Sequence, residues 1–226
     1  MEAYTGVVGV NKKFNEDGSF RWFPGNTMIC DLSHHRNVMK AIRLIHKRYK
    51  SMPFASKFVC MPHDSIHMTV FEFVCHFNRD KSHWSEMLEL DAPIEETDHF
   101  FAERLAAVEM PDNFTMKLDG VGSGGLLLSP ADQATAASLR EFRDKVGQAT
   151  GVKFPNHDTY EYHISHSYQL VHLTPEEEAY LAEVRNELTS KIKEVWVTFN
   201  TGHVLYTVFK DMSKFVPYRP DARTSL

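Results

Sequence analysis

The stretch Ile66-His67-Met68-Thr69-Val70-Phe71-Glu72-Phe73-Val74-Cys75-His76-Phe77 decides the reading of the fold, together with its counterpart Tyr160-Glu161-Tyr162-His163-Ile164-Ser165-His166-Ser167-Tyr168-Gln169-Leu170. The first is rich in β-branched and aromatic residues and reads as a long strand over 66–77. The second reads as a strand over 160–170. Near the start of each stands a histidine, one apolar residue and a hydroxyl residue: His67-Met68-Thr69 and His163-Ile164-Ser165. Alternate side chains of a strand share a face. His67 and Thr69 therefore point one way and Met68 the other, and the same holds for His163, Ser165 and Ile164.

Working outward, each triplet closes a similar unit. The first half reads strand (27–32), helix (34–50), strand (66–77). The second reads strand (124–128), helix (130–149), strand (160–170). His67 lies 38 residues after Ile29, and His163 lies 36 after Leu127. Repetition of a whole unit says more than any single motif. Two units predict two similar lobes facing each other, in a single bilobal domain over 1–226. In the helices, Val38, Ile42, Ile45 and Tyr49 mark one apolar face, and Leu139, Phe142 and Val146 another. Ser129-Pro130-Ala131-Asp132 predicts a helix start with a serine cap and proline at its first position, and Gly151 suits its exit. Thr174-Pro175-Glu176-Glu177 repeats that device before a helix on Leu181, Val184, Leu188 and Ile192. A further helix is predicted over 95–109. Val195–Phe199 and Val204–Phe209 read as a closing hairpin around Thr201-Gly202, and the last dozen residues as a surface tail. An N-terminal arm, 1–26, is too rich in Phe14, Phe20, Trp22 and Phe23 to be a free tail.

The chain has 226 residues, 42% of them apolar and 24% charged, with 25 Lys+Arg against 30 Asp+Glu and a net charge of −5. That balance disfavours a coat on duplex DNA, which calls for a basic surface. No run approaches a membrane span, and the first twenty residues carry charge where a signal peptide needs an apolar stretch. Three widely spaced cysteines, Cys30, Cys60 and Cys75, make neither a CxxC pair nor a disulfide framework. A cytoplasmic monomer is expected. Histidine is the anomaly, with 13 copies.

Two imidazoles and two hydroxyls around one small volume suit phosphodiester cleavage without a metal. One imidazole removes a proton from the attacking oxygen and the other gives one to the departing oxygen. An ordinary pKa near 6.5 lets one ring be neutral and the other charged. The hydroxyls stabilise charge on the non-bridging oxygens. The expected catalytic set is His67, Thr69, His163 and Ser165, with no cofactor and no metal. A metal-dependent hydrolase lacks a carboxylate at ligand spacing, because Glu72 falls on the opposite strand parity to His67.

The two His-x-Thr/Ser triplets, each after a strand–helix unit, resemble the two-histidine (2H) phosphoesterase superfamily, which includes LigT-like RNA ligases and cyclic phosphodiesterases. The run Leu118-Asp119-Gly120-Val121-Gly122-Ser123-Gly124-Gly125-Leu126-Leu127-Leu128 resembles that group's strand, glycine turn and strand before its second motif. Phe23-Pro24-Gly25-Asn26-Thr27, with Lys-Phe-x-x-Asp-Gly at Lys13–Gly18, is similar to an uncharacterised bacterial and fungal branch. The resemblance spans residues 10–210. It implies an α+β bilobal fold, with two antiparallel sheets around a central cleft, helices outside and pseudo-twofold symmetry. It also implies a phosphodiesterase acting on cyclic phosphates of nucleotides or RNA ends, or on 2′,5′-linked phosphodiesters. His67 takes the position of the acid and His163 that of the base. The N-terminal arm and the segment 78–115 depart from the pattern and bear on substrate choice.

Other candidates read as structural. His34 and His35 fit a helix start, and His166 faces away from His163. Trp22, Phe23 and Trp84 fit packing better than base stacking, and Arg79 and Lys57 fit exposed charges better than phosphate ligands. The glycines at 120–125 precede a strand rather than a helix, which excludes a dinucleotide fingerprint. The rival class is a nucleotide- or RNA-end-binding module with little turnover.

Overall fold

The structure, a computed structural model, describes residues 13–226, so the first twelve residues of the expected N-terminal arm lie outside the described residues. Its order is β1 (Gly25–Asp31), α1 (Arg36–Lys50), β2 (Phe58–Cys60), β3 (His67–Cys75), α2 (Ile94–Leu105), β4 (Thr115–Val121), β5 (Gly125–Pro130), α3 (Gln133–Thr150), β6 (His163–Ser165), β7 (Ser167–Gln169), α4 (Pro175–Lys193), β8 (Thr198–Asn200), β9 (Val204–Phe209) and β10 (Val216–Pro217). One eight-stranded antiparallel sheet runs β10-β9-β1-β3-β6-β5-β4-β8, its two four-stranded halves joined between β3 and β6, and β2 and β7 form a second, two-stranded sheet. The seam is one pair, Met68 with Ile164. Each histidine strand lies innermost beside the first strand of its own unit, so the repeat in the sequence becomes a pseudo-twofold in space. The fold is the α+β, bilobal one that the family resemblance implied.

The helices bury the faces that their periodicity marks. Val38, Ile42, Ile45 and Tyr49 of α1 are buried, as are Leu139, Phe142 and Val146 of α3 and Leu181, Val184, Leu188 and Ile192 of α4. His35 caps α1 by accepting from Val38 N. Thr174 and Glu177 form a reciprocal capping box with Pro175 at the first helical position. Gly151, with φ of 69°, ends α3 in the left-handed conformation.

Four expectations are corrected. Helix α3 starts later than predicted: Asp132 is its cap, because Ser129 and Pro130 still pair with Lys117 and Met116 in the sheet. The strand predicted over 160–170 divides at His166 into β6, which pairs with β5, and β7, which pairs with β2. β8 and β9 make no hairpin. β8 pairs with β4 and β9 with β1, so the chain crosses from one lobe to the other at Thr201 and Gly202. Thr201 is buried there, its Oγ1 accepting from Phe114 N. The last dozen residues are no loose tail either. β10 extends the first sheet, and Arg223 forms an ion pair with the buried Asp98 and donates to Phe209 O and Gly25 O. Among the described residues, no helix is long and apolar enough to cross a membrane.

Candidate active site

The seam positions the two triplets. Met68 and Ile164 are fully buried beneath it. Their neighbours point to the opposite face, and antiparallel register sets His67 beside Ser165 and Thr69 beside His163. All four line one cavity of about 520 Å³.

The two imidazoles are held in the same way. His67 Nδ1 lies 2.6 Å from Ser65 O, and His163 Nδ1 lies 3.0 Å from Glu161 O. Each partner is a carbonyl two residues upstream, so Nδ1–H donates and Nε2 is left for the cleft. The glycine turn makes room for this strand. A Cβ on Gly124 would lie 2.8 Å from Ser167 O, and one on Gly125 would lie 3.3 Å from Ile164 O and 3.5 Å from His163 Cβ. The two glycines let the turn press against β6 and the start of β7, with Gly125 paired to Ser165.

The surroundings of the two histidines differ. Phe215, from the loop between β9 and β10, packs on His67 with 4.1 Å between ring centroids. Burial pushes the His67 pKa down to about 4, aided by repulsion from His163 and opposed by the Ser65 carbonyl. His67 is thus neutral at neutral pH. His163 is exposed at the lip of the cleft.

Sequence reasoning missed several lining residues. Phe215 lay in the supposed tail. Tyr160 lines the cleft against the Thr69 side chain, and the Arg143 guanidinium lies 4.5 Å from its ring. Arg143 is buried and donates to Val70 O of one motif strand and His157 O. Glu72 also lines the cleft, against expectation. Ile29 and Met28 are consecutive on β1 but pair with Thr69 and Phe71, so Val70 is a bulge that resets the alternation. Signals for Glu72 and Tyr160 were absent from the local pattern, because each depends on a bulge or on a strand end.

The remaining candidates fall where packing puts them. His166 faces away from the cleft, fully buried against Tyr49, and burial lowers its pKa to about 3. Trp84 is buried with its Nε1–H on Glu89 O and the Arg79 guanidinium over its ring. Arg79 donates to three carbonyls, those of His76, Leu90 and Ala92. Lys57 pairs with Glu177 at 2.6 Å. Phe23 is buried and lines the cleft, whereas Trp22 is 57% exposed. Outside the cleft, Asp144, His157 and Asp158 bring ligand-type atoms within 4.8 Å of one another, with His157 Nε2 hydrogen-bonded to Asp144.

Two similar lobes meeting at paired His-x-Thr/Ser strands define a protein of the two-histidine phosphoesterase class. The chain belongs to the 2H-phosphodiest family, described as a domain of unknown function (DUF1868), whose model matches residues 13–127, just over half of the 226. That match includes the first triplet and ends at Leu127, before the second. The structure is similar to that of a conserved protein of unknown function from Agrobacterium tumefaciens str. C58, with a TM-score of 0.86 and 29% identity over 93% of this chain and 90% of that one. A second solved structure, titled only as a phosphoesterase, aligns with a TM-score of 0.47 and 11% identity over 86% of this chain and 95% of that one. No curated protein matches the chain in sequence.

Proposed function

We propose that the protein is a metal-independent phosphodiesterase that opens a 2′,3′-cyclic phosphate on a nucleotide or RNA end, or cleaves a 2′,5′-linked phosphodiester. The observation that carries this reading is the pair of imidazoles on adjoining strands, each with Nδ1 anchored and Nε2 left for one cleft. In the reaction, His163 Nε2 takes a proton from water as its oxygen attacks phosphorus. The bond from phosphorus to the ribose 3′-oxygen breaks, and His67 Nε2 gives its proton to that oxygen, leaving a 2′-phosphate. Thr69 and Ser165 donate to the non-bridging oxygens as charge builds there. Because burial keeps His67 neutral in the free protein, its proton arrives with the anionic substrate.

A panel of 2′,3′- and 3′,5′-cyclic nucleotides and 2′,5′- and 3′,5′-dinucleotides tests the reading, with the product phosphate located by phosphorus NMR. Turnover of a cyclic or 2′,5′-linked substrate is expected to persist in EDTA. It should fall about 100-fold or more in His67→Ala and in His163→Ala, the scale of a general acid–base group. The double variant should be little worse than either single one, as for groups acting together. A protein inert toward the whole panel that still binds a nucleotide is a binding module instead.

A further inference from the structure

The Lys-Phe-x-x-Asp-Gly stretch at Lys13–Gly18 has no part in the two-histidine chemistry, yet it is built to hold one side chain in the cleft. Phe14 is fully buried and pairs with Phe20. Asp17 Oδ1 accepts from Ser19 N and Oγ, and Gly18 has a φ of 82°. A Cβ on Gly18 would come within 2.9 Å of Val59 on β2. Left-handed backbone and close approach both call for glycine there. The turn is thereby seated on the β2–β7 ribbon, and Lys13 enters the cavity that holds both triplets.

The setting of Lys13 is that of a cation awaiting a partner. Its ammonium lies 5.1 Å from the Tyr168 ring centroid and 5.7 Å from that of Phe23, distances at which the ring faces attract a cation. Among the described residues its one hydrogen bond, to Tyr168 Oη, is long at 3.5 Å. Lys13 joins none of the ion pairs among the described residues. The cleft carboxylate, Glu72, favours the charged ammonium from a distance but makes no ion pair with it, and accepts from Asn156 Nδ2 at 3.3 Å. A half-buried ammonium with three donors and one long contact retains capacity for an anion. The charge of Lys13 also reaches His67 and depresses its protonation, which places the two in one electrostatic site.

We propose that Lys13 forms a second anion subsite in the cleft, which takes a phosphate group of the substrate other than the one being cleaved. The preferred substrate is then a cyclic or 2′-linked phosphodiester that also carries a terminal phosphate. This assignment rests on the phosphodiesterase reading for the identity of the substrate, but its binding test does not require turnover. The Lys13–Gly18 turn is a selectivity element, and Lys13 is a binding residue that contacts substrate away from the reacting atoms.

The test compares the affinities of adenosine 2′,5′-bisphosphate and adenosine 2′-monophosphate by titration calorimetry in wild type, Lys13→Met, Lys13→Gln and Lys13→Arg. In wild type the bisphosphate is expected to bind about tenfold tighter or more, the scale of a charge-assisted hydrogen bond. That preference should vanish in Lys13→Met and Lys13→Gln and be largely retained in Lys13→Arg, with the monophosphate affinity little changed throughout. Gln keeps a polar head on the stem, so one neutral variant remains informative should Met disturb the turn. A preference that survives both neutral substitutions overturns the proposal, as does an equal loss for both ligands or no binding of the bisphosphate by wild type. If the preference behaves as expected while the substrate panel stays inert, the subsite stands and the phosphodiesterase reading falls. Turnover with a preference indifferent to Lys13 has the opposite meaning.

Discussion

Binding of a cyclic phosphate should draw a proton onto His67. With a pKa of about 4 in the free protein, only about one His67 in a thousand is protonated at pH 7. A cyclic phosphodiester is a monoanion that does not itself titrate near neutrality. An oxygen charge about 4 Å from the ring, at an effective dielectric of about 20, contributes about 4 kcal/mol to the charged form. That corresponds to roughly 3 pKa units at about 1.36 kcal/mol each, enough to bring His67 close to 7. Binding at pH 7 should therefore take up about half a proton per site. The assay is calorimetry of a nucleoside 2′,3′-cyclic phosphate in buffers of different ionisation enthalpy. His163→Asn serves as the background, so that turnover is blocked and His163 cannot titrate. The slope of observed enthalpy against buffer enthalpy gives the uptake. His67→Asn added to that background should abolish it. Uptake that is absent, or that persists without His67, refutes the idea that the acid is charged by its substrate.

Three further outcomes follow from the geometry. Gly124→Ala should destabilise the fold by about 1–3 kcal/mol and lower turnover, because the new methyl meets Ser167 O at 2.8 Å and must displace the start of β7, two residues beyond Ser165; urea unfolding and kinetics of the same sample measure both. Phe215→Ala should raise the His67 pKa from about 4 toward its ordinary value by readmitting water to the ring, which is read from the His67 ring protons by NMR titration. Stability should decline on acidification. His166 and His67 have folded-state values of about 3 and about 4, below the unfolded value, so the unfolded chain binds more protons between pH 6.5 and those values. Their contribution is present above pH 6.5 and lost as pH falls. By pH 4.5 the loss amounts to about 2–3 kcal/mol for each histidine, and denaturant midpoints at pH 7 and 4.5 that coincide would contradict the burial argument.

Reading the site from the sequence depended on periodicity within single strands. Alternation sets Met68 and Ile164 opposite to His67, Thr69, His163 and Ser165, and the repeat of strand, helix and strand implies that the two sets face each other. Local chemistry also determines much of the helical frame. The box at Thr174–Glu177 and Gly151 at the end of α3 act through hydrogen bonds and backbone conformation a few residues away, and such signals survive without knowledge of the rest of the chain.

What only the tertiary structure decides is everything that depends on distant partners. Whether Val204–Phe209 turns back on Thr198–Asn200 or crosses to β1 is set by which sheet edge is open, and the edge beside β1 lies some 175 residues away in sequence. Glu72 reaches the cleft because Val70 bulges against β1, a feature of pairing with Ile29 and Met28 rather than of the residues themselves. Phe215, which lowers the His67 pKa by burial, and Lys13, which adds a cation to the same cavity, come from opposite ends of the chain. The residues proposed to supply acid–base chemistry are legible because strand geometry repeats every two positions. Those that surround them and set the charge of the cleft are not, because burial and electrostatic field are sums over neighbours that only the folded chain brings together.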